Sequence, residues 1–323
     1  MSEILVPVLI LSGISLVLAA LLAVGRKAFY VEVDERHEKL MEILPGANCG
    51  GCGFPGCSGY ASAMVEAGAA PNLCPPGGPE LAAEIGKIMG VEVAETVKQV
   101  ALVACAGDAS LAPERARYLG VQDCTAAHAT AGGPKKCAHG CLGLGSCERA
   151  CPFDAIRISD KGLAYVLENK CTGCGQCVSV CPRNIIRMVP AAEPVHVLCV
   201  NPNKAKDVKE VCSVGCTGCK LCTKRSSRFI IEGALARVDY KATDEIPEET
   251  RFACTQGTIF DKRAGTLNDW ITAPAARQKY EADRATWKEA EKAKKAASKA
   301  AKAAKAEQSD KTEKTGASEG GEG

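Results

Sequence analysis

Residues 171–182 read Cys171-Thr-Gly-Cys174-Gly-Gln-Cys177-Val-Ser-Val-Cys181-Pro182. The spacing is C-x2-C-x2-C-x3-C-P. In that pattern three close thiolates wrap one [4Fe–4S] cubane, and the fourth, before Pro, reaches a neighbouring one. Four Cys and one Pro in fixed register do not arise readily by chance, so the stretch demands a partner loop. Residues 137–152 supply it, with Cys137, Cys141, Cys147 and Cys151-Pro152 at a slightly wider spacing. One cluster is expected on Cys137, Cys141, Cys147 and Cys181, and a second on Cys171, Cys174, Cys177 and Cys151. A zinc ribbon also uses C-x2-C pairs, but zinc does not need two interleaved sets of four with two C-P ends.

Upstream, Pro45-Gly-Ala-Asn-Cys49-Gly-Gly-Cys52 opens a compact module that Cys57 and Cys74 complete. Its Gly residues let backbone approach a bulky cluster, and N–H groups in such a loop can donate to sulfur and tune the potential. A third cluster is expected on Cys49, Cys52, Cys57 and Cys74; a four-thiolate zinc site is the alternative. Ser58–Ala67 has small residues at helical spacing, Cys74-Pro-Pro-Gly-Gly78 is a stop and turn, and Glu80–Met89 reads as a helix.

Downstream the chain repeats itself. Ala101–Cys105 and Val195–Cys199 both read as a short strand ending in Cys. Cys212 and the C-x2-C-x2-C run Cys216, Cys219, Cys222 follow the second strand, but Ser226-Ser227 stand where Cys-Pro is expected. The region that should carry the partner thiols, Tyr240–Ile259, holds only Cys254. These losses agree with one another. They predict a fourth cluster on Cys216, Cys219, Cys222 and Cys254 and an erased partner pocket. Cys212 is an alternative to Cys219, because Cys212-x3-Cys216 mimics Cys137-x3-Cys141. Cys105, Cys124, Cys199 and Cys212 are left over, as inert buried thiols or as ligands of a further centre. Four [4Fe–4S] clusters are expected, five if those residues build one.

The chain has 323 residues, 20 of them Cys, with 4% aromatic residues and a net charge of +2. The length allows two or three domains. Cluster-spaced Cys in a chain without a cleavable signal suit metal ligation in a reducing compartment, not a disulfide scaffold. With so few aromatics, iron–sulfur cages must hold part of the fold. The charge does not point to nucleic acid. There is no Gly-rich dinucleotide fingerprint after a strand, no P-loop and no nucleophile–base set, so no catalytic residue and no NAD or flavin site is expected here.

Ile4–Val24 is an uncharged run of 21 residues, long enough for one bilayer crossing. Glu3 precedes it and Arg26-Lys27 follows, which suits an uncleaved anchor with its C-terminal side in the cytoplasm. Pro7 is tolerable in the first turns, and Gly13 and Ser15 could face another membrane helix. The fold class is α+β: a transmembrane helix (1–27), a connector (28–44), the four-cysteine module (45–95), a two-cluster ferredoxin domain (96–190), a degenerate one-cluster repeat (191–262), and a Lys/Ala-rich helix with a disordered tail (263–323). Lys279–Lys305 suits a solvated helix, and Ser309–Gly323 suits disorder.

Taken in order, the anchor, the Cys49-Gly-Gly-Cys52-Gly-Phe-Pro-Gly-Cys57 module, and the ferredoxin repeats with Cys141-Leu-Gly-Leu-Gly-Ser-Cys147 closely resemble the B subunit of the Rnf complex, in its long polyferredoxin-like form. The resemblance covers roughly residues 1–260; the absent Cys partners after Cys222 depart from longer relatives. It implies a subunit of an ion-translocating ferredoxin:NAD+ oxidoreductase in the cytoplasmic (inner) membrane. Reduced ferredoxin would be the donor, other membrane and peripheral subunits the acceptors, and Na+ or H+ the pumped ion. Phe153, Ile156, Ile185 and Ile186 are expected to shield the clusters. Ferredoxins are typically acidic, so Lys204, Lys206, Lys209, Lys220, Lys224, Arg225 and Arg228 form a candidate docking face. A membrane-anchored polyferredoxin of another reductase and a zinc scaffold are the competing readings.

Overall fold

The computed structural model describes residues 2–29 and 34–316. Helix α1 (Ser2–Ala28) is continuous through Pro7 and ends in Arg26 and Lys27. Its segment Leu5–Ala28 has a mean hydropathy of 2.7, none of it covered by the rest of the chain. At 1.5 Å per residue it is long and apolar enough to cross a membrane of about 30 Å apolar thickness.

Helices α2 (Glu35–Ile43), α3 (Gly56–Ala67) and α4 (Gly78–Met89) pack around a small core of Leu40, Leu44, Tyr60, Ala61, Met64, Leu81 and Ile85. Asp34 caps α2 by accepting from the Arg36 N–H at 2.8 Å. Leu40 is wholly buried, a burial that contributes about 2 kcal/mol. Helix α2 therefore belongs to the four-cysteine module, and residues 28–44 are not simply a connector. Helices α3 and α4 both stop at a left-handed glycine, Gly68 and Gly90, where residues with a Cβ are strained.

Two units of like topology follow. In the first, β1 (Gln99–Val103) precedes helices α5 (Cys124–Ala129) and α6 (Ser146–Arg149). The hairpin β2 (Ile156–Ile158) and β3 (Ala164–Val166), helix α7 (Gln176–Ser179) and strand β4 (Ile186–Pro190) complete it. Strand β1 pairs antiparallel with β4, Val103 opposite Ile186, so the two ends of the unit close on each other. In the second, β5 (Val195–Val197), helix α8 (Ala205–Val211), the hairpin β6 (Phe229–Glu232) and β7 (Leu235–Val238), helix α9 (Thr250–Ala253) and β8 (Ile259–Asp261) repeat the plan, with β5 antiparallel to β8. The cores are aliphatic and cysteine-rich, as a chain with few aromatics requires: Val100, Leu102, Val103, Ile156, Leu163 and Ile186 in one, Val195, Phe229, Leu235 and Ile259 in the other.

The segment after 262 is not separate from these units. Helix α10 (Leu267–Thr272) buries Leu267 and Ile271 in the first core. Helix α11 (Pro274–Gly316) begins against the second unit. Tyr280 is buried, its hydroxyl donates to the Arg251 carbonyl at 2.9 Å, and its ring stacks on Phe252 with centroids 5.7 Å apart. Arg225 pairs with Glu291 at 2.7 Å and lies over the Trp287 ring. The first turns of α11 are thus a packed strap. The helix also runs past Ser309 to Gly316. The expected disordered tail therefore starts no earlier than 317, and residues 317–323 lie outside the described ones.

Candidate iron–sulfur sites

Cys151, Cys171, Cys174 and Cys177 line one pocket, closed by Phe153, Ile156 and Met188. Gly175, in the left-handed region at φ 77°, caps α7 and turns Cys177 inward. Gly173 is held so close to β1 that a Cβ would lie 2.7 Å from the Gln99 carbonyl oxygen. The Ala101 N–H donates to Cys171 Sγ and the Ala155 N–H to Cys151 Sγ, both at 3.3 Å. Donors of this kind stabilise thiolate charge.

The second pocket corrects the sequence expectation. Cys141, Cys147 and Cys181 line it with Ile185 and Ile186, but the fourth thiol is Cys124, not Cys137. The reason is local. The loop between Cys141 and Cys147 has Leu144 where a C-x2-C-x2-C run would carry its middle thiol, and a residue from outside fills the gap. Asp123 caps α5 and accepts from the Ser146 hydroxyl at 2.7 Å, while the Cys124 N–H donates to the same hydroxyl at 2.7 Å. Ser146 precedes Cys147, so this triangle pins Cys124 beside Cys147.

Cys137 instead faces a third pocket with Cys105, Cys199 and Cys212, three of the four residues left over by the spacing argument. In the N-terminal module, Cys49, Cys52 and Cys57 are near enough to Cys74 for their charges to raise its thiol further, after burial itself. Asn48 accepts from the Cys57 N–H at 2.8 Å and fixes the start of α3. Cys216, Cys219, Cys222 and Cys254 form the last set: burial pushes Cys222 up to about 11, and its neighbours Cys254, Cys216 and Cys219 add to the shift. Cys216 Sγ accepts from the Ala236 N–H at 3.4 Å and Cys254 Sγ from the Thr258 N–H at 3.3 Å. Cys219 is the one exposed cysteine.

All 20 Cys thus fall into five sets of four. Among the described residues, no group of three or more His, Cys, Asp or Glu converges tightly enough to hold a single metal ion. Three of the sets line small apolar pockets, and four thiolates are a donor set suited to the bulkier [4Fe–4S] cubane. Burial pushes Cys177 up to about 12, so a chain without clusters keeps such thiols protonated at neutral pH and ligation must release protons.

Neighbouring sets lie close together. Gly51 lies so close to Cys174 that a Cβ there would sit 2.8 Å from its carbonyl oxygen, and the Gln176 amide donates to the Cys49 carbonyl. Cys177 is close enough to raise the Cys147 thiol, and Cys105 the Cys141 thiol. Cys199 lies against Cys216. The order in space is therefore the Cys49 set, the Cys171 set, the Cys141 set, the Cys105 set and the Cys216 set.

The basic face is smaller than the sequence suggests. Lys204, Lys206, Lys209, Lys220 and Lys224 are exposed. Arg225 is engaged by Glu291. Arg228 is buried and paired with Glu193 at 2.5 Å.

Residues 44–76 match the family model described as a putative Fe-S cluster, and residues 137–188 the 4Fe-4S dicluster domain. The B component of the Na(+)-translocating ferredoxin:NAD(+) oxidoreductase complex of Acetobacterium woodii is 44% identical over 242 residues, 74% of this chain and 73% of the relative. The B component of the ion-translocating oxidoreductase complex of Methanosarcina acetivorans is 41% identical over 255 residues, 79% of this chain and 94% of the relative. The B component of the proton-translocating ferredoxin:NAD(+) oxidoreductase complex of Clostridium ljungdahlii is 38% identical over 270 residues, 82% of this chain and 95% of the relative. With its cysteine sets and this coverage, the chain belongs to the B-subunit family of the Rnf complexes and is an iron–sulfur electron-transfer subunit of an ion-translocating ferredoxin:NAD+ oxidoreductase.

Proposed function

We propose that this chain accepts electrons from reduced ferredoxin and passes them along its cysteine sets toward membrane-embedded partners, with NAD+ reduction and Na+ or H+ translocation in other subunits. The observation that carries the reading is the closeness of successive sets, from exposed Cys219 to the module that follows α1. Helix α1 anchors the chain in the cytoplasmic membrane, and Arg26 and Lys27 favour placing the cysteine sets on the cytoplasmic side. The second unit is a degenerate ferredoxin repeat.

Four [4Fe–4S] clusters are held by Cys49, Cys52, Cys57 and Cys74; by Cys151, Cys171, Cys174 and Cys177; by Cys124, Cys141, Cys147 and Cys181; and by Cys216, Cys219, Cys222 and Cys254. Bound there, each cubane supplies a one-electron carrier whose potential depends on its surroundings. The chain supplies those surroundings. The N–H groups of Ala101, Ala155, Ala236 and Thr258 donate to ligand sulfurs, and Phe153, Ile156, Ile185 and Ile186 exclude water.

Ferredoxin docks where a thiol is exposed and lysines are free, at Cys219 with Lys220 and Lys224. The test is the rate at which reduced ferredoxin bleaches the visible absorbance of the anaerobically purified chain. Reversing both charges, K220E with K224E, is expected to lower that rate and flatten its dependence on ionic strength, with iron content unchanged. Identical rates and salt dependence in the variant would remove this face from the proposal.

A further inference from the structure

We propose that Arg183 tunes the site on Cys124, Cys141, Cys147 and Cys181, its buried charge holding that site at a higher reduction potential than the sulfur ligands alone would give. The inference rests on the electron-transfer reading above and assigns to one residue a difference between otherwise equivalent sites.

The first argument is position. Three turns lead away from a cysteine that returns to a site: Cys151-Pro-Phe153-Asp154, Cys181-Pro-Arg183-Asn184 and Cys254-Thr-Gln256-Gly257. The fourth residue of each lies in the left-handed region, at φ 53°, 51° and 66°, so the turns are counterparts. Their third residues differ. Phe153 lines the pocket of the Cys171 set and Arg183 that of the Cys141 set. A phenyl ring, a guanidinium and an amide thus stand at matched positions, and only one of the three is charged.

The second argument is burial. Phe153 is half-buried, whereas Arg183 is 8% exposed. Solvation favours the reverse, with the aromatic inside and the cation in water. The guanidinium donates to the carbonyls of Cys137 at 3.2 Å and of Gly132. Its Nε is buried without a partner among the described residues, none of which offers it a carboxylate. Arg115 adds a like charge. Burying a cation without an anion is costly. Cys137, Cys181 and Cys141 lie close enough for their ionised sulfurs to favour the Arg183 charge. Four thiolates around a cubane carry net negative charge and supply the missing counterion.

The third argument gives the direction. On reduction the site gains one electron; no bond forms or breaks and no proton moves. Its negative charge grows by one, so a fixed cation beside it favours the reduced form and raises the potential. A guanidinium keeps its charge in a protein, and burial protects the interaction from screening by salt. Arg183 therefore makes this site a more favourable resting place for an electron crossing the ferredoxin-type pair. It is a positioning residue for the charge, not a ligand.

The test uses the full chain, purified anaerobically in detergent, with iron and acid-labile sulfide counted and the reduction midpoints titrated by electron paramagnetic resonance. Arg183→Met is expected to make one cluster about tenfold harder to reduce, a midpoint lower by about 59 mV for one electron, with the iron content of the parent. Arg183→Lys, which keeps the charge and changes the hydrogen bonds, should recover most of that shift. If Arg183→Met loses iron, Arg183→Gln decides, since its amide keeps a donor for the carbonyls and only the charge is lost. Titrations of the uncharged variants that superimpose on the parent overturn the proposal. So does a shift in Arg183→Lys as large as that in Arg183→Met, which would assign the effect to the carbonyl contacts. A parent chain without reducible clusters would overturn the electron-transfer reading itself, an outcome visible before any variant is made.

Discussion

The side-chain amide of Gln176 donates to the backbone carbonyl of Cys49, 127 residues away along the chain. That bond ties the N-terminal module to helix α7 at the point where two cysteine sets face each other. Gly51 makes the approach possible, since any Cβ would collide with the Cys174 carbonyl. Electron transfer falls steeply with distance, so the residues that set this gap set the rate across it.

Gly51→Ala is therefore expected to keep the iron content of both sites while pushing the module away from α7. After rapid reduction, the approach of the Cys49 set to redox equilibrium with the rest should slow, by about tenfold for a shift of one to two ångströms. Stopped-flow bleaching of the parent and the variant measures it. Equal rates would show that electrons do not cross at this contact.

The buried pair Arg228–Glu193 makes a stability prediction. Both side chains are under a tenth exposed, and Arg228 also donates to the carbonyls of Asp239 and Asp244. Removing one partner strands the other charge. Arg228→Met should cost about 3–5 kcal/mol, and Glu193→Gln on the same background should recover part of it. Urea unfolding of the cluster-loaded chain reports both. A loss below about 1 kcal/mol for Arg228→Met would mean the pair is solvated in solution.

His196 carries a pH dependence. It is fully buried, its Nδ1 is 3.0 Å from the Tyr240 hydroxyl, and its Nε2 has no partner among the described residues. Burial, with the nearby Lys262 charge, holds its pKa down to about 3, against about 6.5 in an unfolded chain. Between those values the unfolded state binds more protons than the folded one, so stability falls as pH drops from about 6.5 toward 3. The slope reaches about 1.4 kcal/mol per pH unit. His196→Phe should show a shallower fall than the parent from pH 7 to pH 5. Parallel curves would mean that His196 opens to solvent before the fold is lost.

Local spacing made most of the cysteine sets legible. Cys171, Cys174 and Cys177 lie in one short loop, and Cys49–Cys74 in one module around α3, where spacing alone groups them. The exchange of Cys137 for Cys124 was not legible from spacing, because the Asp123–Ser146 contact that enforces it joins residues 23 apart. A signal was present, however. Leu144 occupies the position that Cys219 holds in the second unit, and the C-x-x-G-C run occurs twice. Aligning the two units residue by residue assigns Cys137 with Cys212 and leaves a vacancy for Cys124. The strap was hidden for a different reason: Tyr280 and Trp287 are two aromatics in a long Lys/Ala background, and composition averages them away.

That strap gives the last prediction. Tyr280 covers the Cys254 side of the terminal site: its ring stacks on Phe252, and a Cβ on Gly257 would touch it at 3.3 Å. Tyr280→Phe removes only the hydroxyl bond to the Arg251 carbonyl and should cost about 1 kcal/mol. Tyr280→Ala opens a cavity beside α9 and should cost about 3 kcal/mol or more. If the ring also keeps water and oxygen from the site, the alanine variant should lose about four iron per chain within the first phase of air exposure, while the phenylalanine variant decays with the parent. Iron retained against time in air, read together with the visible absorbance, separates the two effects. If both variants decay with the parent, α11 contributes stability but no shielding, and the exposed Cys219 edge is where oxygen enters.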